Sequence, residues 1–132
     1  MDYGLERGRS WDELRAGFHW SLPPRLNIAD RLCARWARED PERIGLIHLL
    51  PDGRVERWRH ADLDRAACRL ANGLAARGIG RGDRVGVLLP QAPETLVTHL
   101  AAYRLGAIAV PLFTLFGADG LAFRLADSGA VA

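Results

Sequence analysis

A chain of 132 residues, 48% hydrophobic and 26% charged, carries enough apolar material for one ordinary core and too much to be disordered. Its formal net charge is only +2, from 18 basic and 16 acidic residues scattered among one another, so no single-signed field points to nucleic acid or an anionic membrane. All the basic residues are arginine and none is lysine, which removes every mechanism that needs an amine, the phosphate-contacting lysine of a P-loop included.

In chain order, residues 1–15 are charged and lack an apolar core segment, so they do not read as a secretory signal. A short helix is predicted over 11–16, followed by an aromatic connection through Phe18, Trp20, Pro23 and Pro24. Asn27 is placed to cap a helix reaching Glu39, with Ile28, Leu32, Cys33 and Trp36 on one arc and Arg31, Arg35 and Arg38 on another. Residues 44–50 and 54–59 flank Pro51, Asp52 and Gly53, which predicts a β-hairpin. A long helix over 61–77 carries Leu63, Ala67, Leu70 and Leu74 at helical spacing, and Gly78 stands where a left-handed cap belongs.

Beyond the turn at Gly80, Gly82 and Asp83, the nearly continuous apolar run of 84–89 predicts a strand covered on both faces. Pro93 suits the first turn of a helix to Leu105, and 107–112 resumes as a strand, giving a parallel βαβ unit with a right-handed crossover. The apolar stretch 96–116 is interrupted by His99, Arg104, Gly106 and Pro111 and reads as buried core rather than a membrane span. A last helix over 118–127 ends at Ser128 and Gly129, and residues 130–132 look like the start of another buried strand. The expected class is α/β: an extension over 1–26, then an incomplete α/β subdomain over 27–132 whose open sheet edge suggests truncation.

No motif is catalytic by itself. Gly78, Gly80 and Gly82 do not follow the GxGxxG spacing and precede a strand, so they are read as a structural turn. Asp62 and Asp64 sit in the first turn of a predicted helix, where carboxylates offset the dipole, a simpler account than an acid and base pair. His99 has no partner at metal-ligand spacing, and His19, His48 and His60 form no better constellation. Cys33 and Cys68 belong to no CxxC pair; both are read as small hydrophobes suited to a reducing cytoplasm, with no metal site. The arginine stripe is read as a solvated helix face. The segment Phe113, Thr114, Leu115, Phe116 differs in kind, because it leaves the carboxyl end of the second parallel strand, where open α/β sheets place their ligands.

The run Gly80-Arg81-Gly82-Asp83-Arg84-Val85, with Leu89-Pro90-Gln91 and Pro93-Glu94 after it, resembles the early part of the adenylate-forming superfamily, acetyl- and medium-chain acyl-CoA synthetases especially. Phe18-His19-Trp20, Asn27-Ile28-Ala29-Asp30, Arg35-Trp36-Ala37, Ala101 to Ala107 and Val110-Pro111-Leu112-Phe113 resemble it in the same order. The resemblance implies a ligase in which a carboxylic acid attacks the α-phosphate of ATP, assisted by Mg2+, and the acyl-adenylate passes its acyl group to coenzyme A. It implies no catalytic residue within this chain, whose phosphate loop and catalytic lysine would lie downstream. It does imply a coenzyme A side at Phe113, Thr114 and Leu115, although Thr114 and Leu115 stand where acetyl-type members have glycines. Arg59 likewise stands where relatives have a capping Ser or Thr, so the following helix is expected to fray at its start. Two readings compete. One is a stand-alone α/β interaction module; the other, ranked last, is a flavodoxin-like nucleotide binder, for which the Pro90-Gln91-Ala92-Pro93 loop offers few amide donors.

Overall fold

The computed structural model describes residues 10–20 and 23–132, so the expected extension over 1–26 lies partly outside it. Helix α1 (Trp11–Gly17) opens with a capping box: the Ser10 hydroxyl accepts from the Glu13 amide at 3.3 Å while the Glu13 carboxylate accepts from the Ser10 amide at 2.9 Å.

Asn27 caps the next helix as expected, its Oδ1 accepting from the Asp30 amide at 3.2 Å. The winding differs from the expected plain α-helix. Residues Asp30–Ala34 form a π turn before α2 (Arg35–Glu39) resumes. One inserted residue per turn rotates the inward face, so Ala29, Cys33 and Ala34 are buried, whereas Ile28 and Leu32, expected on the inner arc, are exposed. Small residues at the buried positions let this segment close onto the helix below it.

The hairpin pairs β1 (Ile44–Leu49) with β2 (Val55–Arg59) antiparallel, Leu49 opposite Val55, with an irregularity between Ile44 and Leu46. Its turn closes through Gly53, whose φ of 83° is one that a side chain disfavours. At the irregularity sits Gly45, where an added Cβ would stand 3.0 Å from both Leu63 Cδ1 and His60 Nδ1, so the hairpin lies directly on the long helix.

That helix, α3 (His60–Ala75), buries Leu63, Ala67 and Ala71. It packs along α4 (Pro93–Leu105), which connects the parallel strands β3 (Arg84–Leu88) and β4 (Ile108–Leu112), paired in register from Arg84 with Ile108 to Leu88 with Leu112. Val85 and Val87 are buried, and Val85 joins Ala102 and Ala107 in a small cluster under α4. The alternate face carries Gly86, where a Cβ would stand 2.9 Å from Leu125 Cδ2 of α5 (Ala118–Ser128). Helix α4 thus covers the face of β3 that carries Val85, while α5 reaches the other face at Gly86 and leaves Leu88 exposed. A larger cluster joins Ala29, Cys33, Leu63, Ala67 and Leu100, so α4 belongs to both cores through Leu100 and Ala102.

The strand expected at 130–132 is present as its first hydrogen bonds only: the Val131 amide donates to the Arg84 carbonyl at 2.9 Å and the Gly86 amide to the Ala132 carbonyl at 2.6 Å. The neighbouring Asp83 carbonyl accepts from the Ile108 amide at 2.7 Å. Successive carbonyls of β3 thus point to opposite edges, and the last residues lie on the edge away from β4. Among the described residues no helix is long and apolar enough to cross a membrane.

Candidate functional site

Parallel pairing brings the carboxyl ends of β3 and β4 to one edge of the sheet, so residues 89–92 and 113–117 leave it side by side. In the first loop the Thr95 hydroxyl donates to the Pro90 carbonyl at 2.6 Å and the Thr95 amide to the Ala92 carbonyl at 3.0 Å, so its polar groups serve the start of α4. In the second, the Phe116 amide donates to the Phe113 carbonyl at 3.0 Å and closes a tight turn. Phe113, Thr114 and Leu115 are exposed, with Leu115 at 81%. Each takes an ordinary negative φ, since among the described residues only glycines have positive values. The rings of Phe113 and Phe116 meet edge to face at 6.0 Å, and the Arg124 guanidinium of α5 sits 3.8 Å over the Phe116 ring. Arg124 was not singled out in the sequence. Its relation to Phe116 depends on α5 folding back over the turn.

The turn at 80–83 uses its own amides. Gly80 donates to the Asp83 carboxylate at 2.8 Å, Asp83 to the Gly80 carbonyl at 3.2 Å and Gly82 to the Gly106 carbonyl at 3.0 Å, so none of them forms a phosphate cradle. Two open grooves lie elsewhere, one of roughly 1040 Å³ between residues 24–28 and the end of α4, one of roughly 530 Å³ between β1 and the start of α4. Neither includes Phe113, Thr114 or Leu115.

The remaining candidates have structural roles. His99 Nδ1 meets the Thr95 carbonyl at 2.8 Å and its ring packs edge-on to Tyr103. Burial, reinforced by the Asp64 carboxylate, pushes the Cys33 thiol up to about 11, so it remains a protonated, inert hydrophobe whose Sγ lies 3.5 Å from the His60 carbonyl. Arg38 pairs with Asp30 at 2.8 Å, and Arg35 and Arg43 lie 4.3 and 4.0 Å over the Trp36 ring. Asp64 is not the dipole carboxylate expected: it forms an ion pair with Arg104 that ties α3 to α4. Asp62 is drawn down to about 2, chiefly by the Arg59 guanidinium.

Arg59 also corrects the expectation of a frayed helix start. Its side chain makes no hydroxyl-type cap, but it donates to Asp62 at 2.8 Å and to Glu42 at 2.9 Å, while the His60 amide reaches the Arg43 carbonyl at 2.9 Å. Charge and tertiary contact replace the missing cap. Among the described residues no group of three or more His, Cys, Asp or Glu is arranged to hold a metal ion.

The sequence pattern of the AMP-binding enzyme family matches residues 33–132. The chain belongs to that family. Similar proteins include the acetyl-coenzyme A synthetase of Cryptosporidium parvum, 36% identical over 83% of this chain and 16% of its own, and that of Burkholderia thailandensis, 38% identical over 95% and 19%. A crystal structure of the Brucella canis acyl-CoA synthetase matches with a TM-score of 0.81 and 33% identity, over 91% of this chain and 23% of that one. The chain thus spans under a fifth of the length of these curated relatives.

Proposed function

We propose that the chain forms the amino-terminal α/β part of an AMP-forming acyl-CoA synthetase. In that reaction a carboxylate oxygen attacks the α-phosphorus of ATP and pyrophosphate leaves; the thiol sulfur of coenzyme A then attacks the acyl carbon, the thioester forms and AMP departs. The observation that carries this reading is the match of residues 33–132 to the family, reinforced by the superposition on an acyl-CoA synthetase. Within it, residues 27–132 are an incomplete subdomain, 1–26 an extension, and Phe113, Thr114 and Leu115 border the nucleotide of coenzyme A. Their exposure at the carboxyl edge of the sheet supports that role.

The residues present do not fit ATP or Mg2+. The sequence has no lysine, the described carboxylates form no metal cluster, and the amides of the glycine turn are taken, so no step of adenylation is assigned to this stretch. Its own contribution is the sheet edge itself: α4 packs on one face of β3, α5 meets the other at Gly86, and the loop after β4 leaves from that edge. Free thiols at Cys33 and Cys68 support a cytoplasmic setting.

Two measurements test this. Purified residues 1–132 with ATP, Mg2+ and acetate are expected to release no pyrophosphate, and acid-dependent release would overturn the assignment of the chemistry elsewhere. Titration with coenzyme A, followed by amide chemical shifts, is expected to move Phe113 to Leu115 and leave the hairpin still. Shifts confined to other residues, or none, would remove those three from the site. A second reading, a stand-alone interaction module, draws on the exposed Ile47 and Leu49 of the hairpin. Monomeric sedimentation at all concentrations would rule out self-association through that face.

A further inference from the structure

The turn after β4 has few internal restraints. Phe113, Thr114 and Leu115 are exposed, and one backbone hydrogen bond, from the Phe116 amide to the Phe113 carbonyl, closes it. Helix α5 begins at Ala118 after Gly117, which offers no side-chain cap, and it buries none of its residues fully. Such a segment is expected to open easily, because little apolar area is lost when it moves. One contact opposes this. Arg124 lies two turns into α5, its Cζ 3.8 Å above the centre of the Phe116 ring, and its Nη1 donates to the Gly120 carbonyl at 2.9 Å. Gly120 lies beside the contact without being required by it: a Cβ there would stand 3.4 Å from Arg124 Nη1 and 3.8 Å from Phe116 Cβ, ordinary van der Waals distances. Phe116 in turn meets the ring of Phe113 edge to face. The chain of contact runs from the helix, through guanidinium and ring, to the first residue of the loop.

We propose that Arg124 is a positioning residue for this loop: its guanidinium, seated over the Phe116 ring, holds residues 113–117 in the turn that presents Phe113 and Leu115. The functional value of this device rests on the reading of Phe113 to Leu115 as the coenzyme A side. A cation over an aromatic face is attracted by the ring quadrupole, and the attraction is directional enough to select one ring position. Here it does the work that a buried side chain does elsewhere. Thr114 and Leu115 can then occupy positions without glycine's backbone freedom while the loop still takes one conformation.

Amide hydrogen exchange on the 132-residue chain tests it. Arg124→Met is expected to speed exchange at the Phe116 amide by about 2–5-fold, while the Ala107 amide, bonded to the Ala102 carbonyl at the end of α4, keeps its wild-type rate. Arg124→Lys, which retains a cation, should recover part of the protection. In a Phe116→Leu background the Arg124→Met change should add nothing further, because the ring through which it acts is gone.

An unchanged Phe116 rate in Arg124→Met, an equal rise at Phe116 and Ala107, or no recovery by lysine would overturn the proposal. Coenzyme A titration of the wild type separates the two readings. If the loop loosens in Arg124→Met but coenzyme A never perturbs it, the site assignment fails and the positioning role stands. If coenzyme A perturbs the loop but exchange does not respond to Arg124, the positioning role fails alone.

Discussion

Asp62 and His60 both stand in the first turn of α3, and their ionisation is pushed in opposite senses by what surrounds them. Arg59 holds the Asp62 carboxyl near 2, below its ordinary 3.8, so the folded chain binds that proton less readily than the unfolded one. Its stabilising contribution is present above about pH 4 and is lost as pH falls towards 2. His60 is lowered from its ordinary 6.5 by burial and then by the Arg43 charge, and its Nδ1 is buried without a partner. Neutral His60 is what the fold accepts. Its contribution is complete above about pH 6.5 and falls as pH drops through that value, where the unfolded chain takes up the proton first. The melting temperature is expected to decline in two stages on acidification. His60→Gln should erase the upper stage and Asp62→Asn the lower, and a His60→Gln profile identical to wild type between pH 7 and 5 would refute the assignment.

At the scale of elements, helix ends are joined to one another rather than capped separately. Asn27 accepts from the Asp30 amide at one helix start and donates through Nδ2 to the Tyr103 and Arg104 carbonyls, at 3.0 and 3.4 Å, at the end of α4. Arg84 does the same for α5, donating to the Ser128 and Gly129 carbonyls at 3.1 and 2.7 Å from the start of β3. Asn27→Ala is expected to cost about 1 kcal/mol in urea denaturation, the usual worth of a cap. Asn27→Asp keeps the cap but sets a negative charge against the α4 carbonyls, so it too should be destabilised. An Asp variant as stable as wild type would show that the link to α4 carries no weight.

Over the whole molecule, α4 belongs to both core clusters, and this makes a prediction about cooperativity. Leu63 is 1% exposed at the centre of the larger cluster, and Val85 lies in the smaller one. Leu63→Ala is expected to cost about 2–5 kcal/mol. Val85→Ala should shift the same single urea transition by a smaller amount, because unfolding of either cluster strips α4 from the other. Two separate transitions, each answering to one substitution, would show that the clusters unfold independently. The unequal burial of the sheet follows from the same arrangement: Val85 and Val87 on one face of β3 are buried, while Leu88 of β3 is exposed and Ile108 of β4 and Val131 beside β3 are more than half exposed.

Residue order alone determined the helix and strand positions wherever periodicity, a cap or a turn residue spoke locally: the Pro51-Asp52-Gly53 hairpin, the helix ending before Gly78 and the strand, helix and strand from Arg84 to Leu112. The resemblance to adenylate-forming enzymes was legible for the same reason, since its motifs are short and contiguous. What only the tertiary structure decided involves partners distant in sequence. The π turn at Asp30–Ala34 kept Cys33 of the expected arc inside but exchanged Ile28 and Leu32 for Ala29 and Ala34, because close approach to α3 selects small residues. Asp64 found Arg104 and Arg59 found Glu42 across folded contacts that no helical spacing encodes. The candidate loop itself was legible as the exit of a parallel strand, but its hold on Arg124 was not. A cation–π contact over eight residues of chain exists only once β4 has ended, the turn has closed and α5 has folded back above the ring.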